Sequence, residues 1–419
     1  MKLHRVFGAL ESRNYRLYFF GQIISLIGTW MTQTASLWLV YHLSSSALML
    51  GLVGFAGQVP VFFFSPVAGV LADRFNRHRL LVLTQVLAML QSFALAILTF
   101  THHINVPLLV ALTLVQGAIN SVDIPVRQAL VIAFVEKRQH LGNAIALNSS
   151  VFNLARLIGP AISGFVIASA GVAACYLIDG FSYFAVILSL LAMRFAPLPK
   201  SRDRKHPLIE MREGFHYAFG LRPIRALIIT LALISFLGFS YAVLTPLFAR
   251  DVFHGDARTL GWLMSATGIG ALVGAAYLGS RTKIRGLGNV MAVGGALMGI
   301  STITFANSRI LPLSLVALTF AGLGGVLMMA SSNTLLQSLV EEEKRGRVMS
   351  IFTMAFTGTM PLGNLAIGAL AGKIGAPAAL TCSGIFCLFI VLIFFRKLPG
   401  LRAAAAPLME KWELIKSSS

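Results

Sequence analysis

Apolar residues in this chain do not alternate with polar ones. They come in runs of about 20 residues, the length a helix needs to cross a hydrocarbon core. Twelve runs predict membrane-spanning helices, over 17–40, 48–71, 80–100, 107–130, 143–168, 174–196, 223–248, 259–279, 288–306, 311–335, 347–371 and 376–396. A transmembrane β-barrel would need shorter segments of period two, and none is visible. The expected fold class is all-α integral membrane, with 12 transmembrane helices.

Composition agrees. The 419 residues are 57% hydrophobic and 12% charged, with a mean hydropathy of +0.80; an average soluble domain carries about 25% charged residues. The net charge of +19 would suggest nucleic acid in a soluble chain. Here the basic residues cluster in short segments between apolar runs, which is the positive-inside pattern, so no nucleic-acid partner is expected. Of the 34 Lys and Arg residues, only Arg250, Arg258, Arg309 and Lys373 fall in segments opposite the N-terminus. Arg127 and Arg156 lie at or within spans, and the rest are on the N-terminal side. Both termini are therefore expected in the cytoplasm. Cys175, Cys382 and Cys387 sit in apolar runs without a CxxC pair and read as packing residues. The first 16 residues are polar and basic, and the run after them is too long for a signal-peptide core. No metal site is expected, the external pair His102-His103 included, and no cofactor.

Five regions are expected. Residues 1–16 form an amphipathic cytoplasmic N-terminus, with Lys2, Arg5, Arg13 and Arg16 interleaved with Val6, Phe7, Leu10 and Tyr15. Residues 17–196 form an N-terminal six-helix bundle and 223–396 a C-terminal one. Between them 197–222 reads as a central cytoplasmic loop, with Pro197, Pro199, Pro207 and a charge run; 397–419 is a cytoplasmic tail. The halves look like repeats. Placing Leu141–Gly171 over Arg345–Gly375 brings Gly142, Gly159, Gly164 and Gly171 onto Gly346, Gly363, Gly368 and Gly375 at one common offset.

The most polar stretch between two long apolar runs is Gly69–Arg79, G-V-L-A-D-R-F-N-R-H-R. Its single acid, Asp73, stands among Arg74, Arg77 and Arg79, and a run this charged must sit in water. Gly69 permits close helix approach, and Asp73 can face the positive N-terminal end of a helix. The stretch resembles the loop signature of the major facilitator superfamily, Gly-x-x-x-Asp-Arg-x-Gly-Arg-Arg/Lys. Asn76 stands where that signature has its second glycine; Asn tolerates a left-handed backbone, so the turn is expected to survive. The resemblance covers the whole length and implies two pseudo-symmetric six-helix bundles. It also implies a cytoplasmic gate of Gly69, Asp73, Arg74 and Arg77, with Asp73 facing span eleven and Arg77 meeting an acid, for which Asp123 is the candidate. The counterpart loop, Gly279–Arg285, lacks the acid, which fits a single inner latch.

The ionisable residues inside the spans are the chemical candidates, because burying them in a bilayer is costly. Asp123 in span four pairs with Arg127 or Arg77 as part of the gate, or carries a proton. Arg156, near the middle of span five, must face water, an acid or an anionic substrate. Asp179 in span six pairs with Arg156, carries a proton, or hydrogen-bonds Ser182 or Tyr183. Span one carries a polar stripe of Gln22, Ser25, Thr29, Thr32, Gln33 and Ser36 that could line a cavity, to which Asn153 and Asn333 add polar contacts. Gly159-Pro160 with Gly164 resembles the family's span-five antiporter motif, although Ala155 and Arg156 stand where more glycine is common. Gly159, Pro160, Gly164, Gly363 and Gly368 are read as a helix-packing set.

No Walker loop, GxGxxG or GxSxG occurs, so no enzyme is expected and ATP cannot drive transport directly from this chain. The residues Asp123-x-Pro125-x-Arg127-Gln128, Asn153–Pro160 and Arg345–Ser350 resemble bacterial exporters of drugs and siderophores, the enterobactin-exporter-like branch. That implies proton-coupled export of a small amphipathic organic compound by alternating access, in the bacterial plasma membrane. The expected partners are a small-molecule substrate, protons and the lipid bilayer, with the protein a monomer. A lysophospholipid or other lipid-type substrate is the alternative. A non-transporting sensor on the same scaffold would need a long soluble appendage, and the stretch from Leu401 to Ser419 is short.

Overall fold

The computed structural model describes residues 7–64, 75–135, 137–193, 207–281 and 284–417. Among them every regular element is helical. Twelve helices are long and apolar enough to cross a membrane: Arg13–Ser44, Ala47–Phe64, Arg77–Phe100, Val106–Phe134, Leu141–Ala170, Val172–Leu191, Arg222–Val252, Ala257–Ser280, Leu287–Asn307, Leu311–Leu339, Lys344–Ile374 and Ala376–Ala406. They are called spans one to twelve. Each expected span has its counterpart, which is what long uniform apolar runs should give: the helix satisfies its own backbone where water cannot.

Polar segments between the runs departed further from expectation. The surface helix expected over 1–16 is replaced, from residue 7 on, by a 3₁₀ turn, Gly8–Glu11, and the opening of span one at Arg13. The turn is docked rather than solvated: Ala9 N donates to Asn143 Oδ1 at 2.9 Å, and Tyr15 donates to Ala144 O at 2.9 Å and Asn148 Oδ1 at 3.0 Å. The expected central loop contains a 14-residue helix, Pro207–Gly220. It packs on the start of span eleven, where Arg347 donates to Glu213 Oε2 at 2.6 Å and Lys344 stands 4.4 Å from the Tyr217 ring centre. The expected tail continues span twelve as one helix to Ser417. Asn76 is not left-handed. With φ −65° it is the N-cap of span three, its Oδ1 accepting from His78 N at 3.0 Å and Arg79 N at 3.2 Å.

The chain divides into two compact units, Met1–Arg202 with Thr245–Gly268, and Asp203–Leu244 with Ile269–Ser419. Spans one to six fall in the first unit and most of spans seven to twelve in the second, while Thr245–Gly268, the end of span seven and the start of span eight, groups with the first unit. The reason is backbone-to-backbone packing on span five. A Cβ on Gly261 would stand 2.6 Å from Pro160 O, and Ser265 donates to Leu157 O at 2.7 Å.

Within each unit the repeat glycines do matching work. Gly171 ends span five at φ 82° and Gly375 ends span eleven at φ 84°, each a lone residue between two helices. Only glycine takes that backbone without strain. Gly159 brings span five onto span one, where an added Cβ would lie 2.5 Å from Trp30 Cβ. Gly363 brings span eleven onto span seven so closely that its Cβ would fall 1.3 Å from Phe236 O. The second unit holds a buried apolar cluster that includes Leu231, Ile234, Met298, Met328, Val348 and Phe352.

Candidate functional site

Two carboxylates are buried in the first unit, and span three serves both. Thr84-Gln85 and Gln91-Ser92 lie seven residues apart, two helical turns, so they share a face. At the lower level Thr84 Oγ1 and Gln85 Nε2 donate to Asp123 Oδ1 at 2.9 and 2.6 Å. The other oxygen, Oδ2, accepts from Arg127 Nη2 one turn on in span four. At the upper level Ser92 donates to Asp179 Oδ2 at 3.0 Å, and Thr32 of span one donates to the same oxygen at 2.8 Å. Ser182 lies 3.4 Å from Oδ1 and donates to Asp179 O at 2.7 Å. Asp123 is 3% exposed and Asp179 1%, so neither reaches bulk water.

Each acid meets one of its expected partners and not another: Asp123 meets Arg127, and Asp179 meets Ser182. Asp123 is held by Arg127, Thr84 and Gln85, not by Arg77, which is the first residue of the span-three helix. Asp179 is held by hydroxyls, not by Arg156. Arg156 is half-buried on span five, one turn past Phe152. Gly69, Asp73 and Arg74 lie outside the described residues.

In front of Arg127 is a cavity of about 340 Å³. Span one contributes Tyr18, Phe19, Gln22 and Leu26; span four Arg127, Gln128 and Val131; span five Asn148, Ser149, Phe152 and Asn153. Arg127 faces both ways. Its side chain is 23% exposed at the cavity, while its partner Asp123 is 4% exposed behind it. The amides of Gln22, Gln128, Asn148 and Asn153 supply donors and acceptors among aromatic and aliphatic surfaces, the usual composition of a site for an organic ligand.

The polar stripe expected on span one divides. Gln22 reaches the cavity. Thr29 donates to its own helix at Ser25 O at 2.9 Å. Thr32 and Ser36 turn into the contact with span six, to Asp179 and to Tyr176 at 3.1 Å, while Gln33 is exposed. Asn333 belongs to the second unit, where its Oδ1 accepts from Gln337 Nε2 at 2.5 Å. Among the packing residues, Gly164 lies against Ala257 O, 2.6 Å from an added Cβ, and Pro160 and Gly368 are buried. The partners on span three, Thr84, Gln85 and Ser92, were not anticipated. Their signal was present as a pair of adjacent polar residues repeated after seven in an otherwise apolar run.

Twelve spans in two units, a glycine framework repeated between halves and buried carboxylates in one of them are what a secondary transporter would show. Residues 5–415 match the transmembrane secretion effector family. The chain belongs to that family of the major facilitator superfamily. It is 27% identical over 383 residues to the staphyloferrin A transporter of Staphylococcus aureus strain NCTC 8325, covering 91% of this chain and 95% of that protein. It is 26% identical over 399 residues to the multidrug efflux pump Tap of Mycobacterium tuberculosis strain H37Rv, covering 92% and 93%. The solved nucleoside transporter NupG has the same fold, with a TM-score of 0.71 at 13% identity, covering 93% of this chain and 99% of that one. The family member described here is thus a multi-pass membrane protein of a transporter family, not an enzyme.

Proposed function

We propose that this protein is a proton-coupled exporter of small amphipathic organic compounds, of drug or siderophore type, working by alternating access. The observation that carries the reading is the cavity beside Arg127. Aromatic rings of Tyr18, Phe19 and Phe152 face amide groups and one guanidinium across about 340 Å³. That surface suits a molecule part apolar and part hydrogen-bonding. The export direction follows the name of one relative, the multidrug efflux pump Tap. Proton coupling is supported by Asp123 and Asp179, since an acid held inside a span is costly to keep unless it is used. The distribution of Lys and Arg favours both termini in the cytoplasm of a bacterial cell, with the chain acting as a monomer. Gly69, Asp73, Arg74 and Arg77 are assigned to the inner gate on the strength of their motif, and Asn333 and Arg156 to the substrate pathway.

The test is accumulation of ethidium and of erythromycin in bacterial cells stripped of their own efflux pumps. Cells expressing this protein should hold less of at least one compound than control cells, and a protonophore should erase the difference. Equal accumulation of both compounds, with the protein present in the membrane, rejects export of this class. Efflux that survives the protonophore rejects proton coupling.

A further inference from the structure

The two buried acids are built for opposite tasks, and we propose that Asp179 is the proton carrier while Asp123 is a fixed charge. This rests on the proton-coupled reading above and names the residue within it. What separates the two is what their partners can do when a proton arrives. Asp123 Oδ2 faces the guanidinium of Arg127, a group that is always charged, always donates and never accepts. A proton placed on Asp123 would take the counter-ion from a guanidinium that is only 23% exposed, which is costly.

Every side-chain partner of Asp179 is a hydroxyl: Thr32 on span one, Ser92 on span three and Ser182 on span six. A hydroxyl donates one hydrogen and accepts through two lone pairs. When the proton adds to a carboxylate oxygen of Asp179, the new acid O–H donates to the oxygen of Ser92 or Thr32. The hydroxyl hydrogen that had pointed at the carboxylate turns instead to the carbonyl four residues back in its own helix. Ser and Thr hydroxyls commonly make such bonds within helices. The same kind of backbone bond already exists nearby, where Thr29 donates to Ser25 O at 2.9 Å and Ser182 to Asp179 O at 2.7 Å. No charge is stranded in either state, so both are accessible.

The surroundings of Asp179 agree. The titratable groups nearest to it, Cys175 and Tyr183, lie on its own span. Spans one and three face it with Thr32, Ser92 and Gly28; a Cβ on Gly28 would stand 2.6 Å from Asp179 Oδ1, so the glycine is what admits the carboxylate. Thr32, Thr29, Ser25 and Gln22 recur at three- and four-residue spacing down span one, ending at the cavity wall. They supply a polar line between the acid and the space the substrate would occupy.

Infrared difference spectra of the purified full chain against pH read the acid directly, through the carbonyl stretch of a protonated carboxyl group, and need no substrate. As pH falls the wild type should gain, beside the carbonyl bands of its other acids, one band that Asp179→Asn lacks and that the double variant Asp123→Asn with Arg127→Gln keeps. The double variant removes the ion pair as a unit, so it leaves no unpaired buried charge to unfold the protein. Identical sets of titrating bands in the wild type and Asp179→Asn, or loss of that band in the Asp123/Arg127 double variant, overturns the assignment. In proteoliposomes, Asp179→Asn should abolish ethidium transport driven by a pH gradient while leaving ethidium binding unchanged; gradient-driven transport at the wild-type rate overturns it as well. If the infrared assignment holds but wild-type liposomes move neither ethidium nor protons, the transport reading fails and the titrating acid stands.

Discussion

In the first unit two carboxylates, Asp123 and Asp179, are buried between helices; in the second, the buried polar side chains among the described residues are Ser, Thr and Asn. The glycine framework does not divide this way. Gly171 and Gly375 carry almost the same φ, and Gly159 and Gly363 both bring a helix onto the first span of their own half. Architecture is thus held in duplicate and ionisable chemistry is not. A packing glycine costs a half nothing to keep, whereas a buried acid must be compensated at every step.

The strongest way to break this comparison is to remove a charge from one unit and a neutral polar group from the other. Asp123→Ala strands Arg127 and should cost about 3–5 kcal/mol, seen as a collapse of monodisperse protein in detergent. Ser331→Ala in the second unit, at a fully buried hydroxyl, should change stability by less than about 1 kcal/mol. Comparable losses in the two variants would mean that the halves are not asymmetric in this sense.

A smaller effect sharpens the other side of the comparison, the shared framework. Gly159→Ala and Gly363→Ala should each destabilise, by about 1–3 kcal/mol or more for overpacking. Gly363 should suffer more, because its new Cβ meets the Phe236 carbonyl oxygen at 1.3 Å while Gly159 meets a side-chain carbon at 2.5 Å. Melting temperatures of the two variants check the order, and an unaffected Gly363→Ala removes the close-packing account.

The smallest effect concerns the helix Pro207–Gly220. Arg347→Gln breaks the bond to Glu213, but both side chains are partly exposed, at 29% and 43%. The expected loss is about 1 kcal/mol or less, and salt should reduce it further. A large drop in melting temperature would show that this helix is a structural member of the second unit rather than an accessory to it.

The fold was legible because its signal is redundant: twelve runs of apolar residues each state the same thing independently. What was illegible lay in polar segments. The helix Pro207–Gly220 is too short to read as a span and follows a run of charges in the sequence, while its packing on span eleven is a long-range contact. The extension of span twelve to Ser417 runs through Pro399, Gly400 and Pro407, residues that ordinarily break a helix. In the site, Asp123, Arg127 and Asp179 stood out because a charge in an apolar run is conspicuous. Their partners did not. Thr84 and Ser92 resemble ordinary packing residues, and long-range pairing decides which acid they meet. Arg156 was a candidate for Asp179 only if spans five and six faced one cavity, with Ser182 as an alternative; the structure has Ser182 there and adds hydroxyls from spans one and three. Thr32 and Gln33 illustrate the limit most simply: adjacent residues of one stripe, one turned into the helix contact and the other exposed.

Spans five and six meet at the single residue Gly171, and spans eleven and twelve at Gly375. A connection of one residue has no slack. Epitope tags, protease sites or fluorescent-protein insertions placed at these two corners would have to unwind a helix end to be accommodated, and labelling strategies should avoid them. The corner at Thr101–Asn105, between spans three and four, offers several exposed residues and is the better place to attach a reporter on that face.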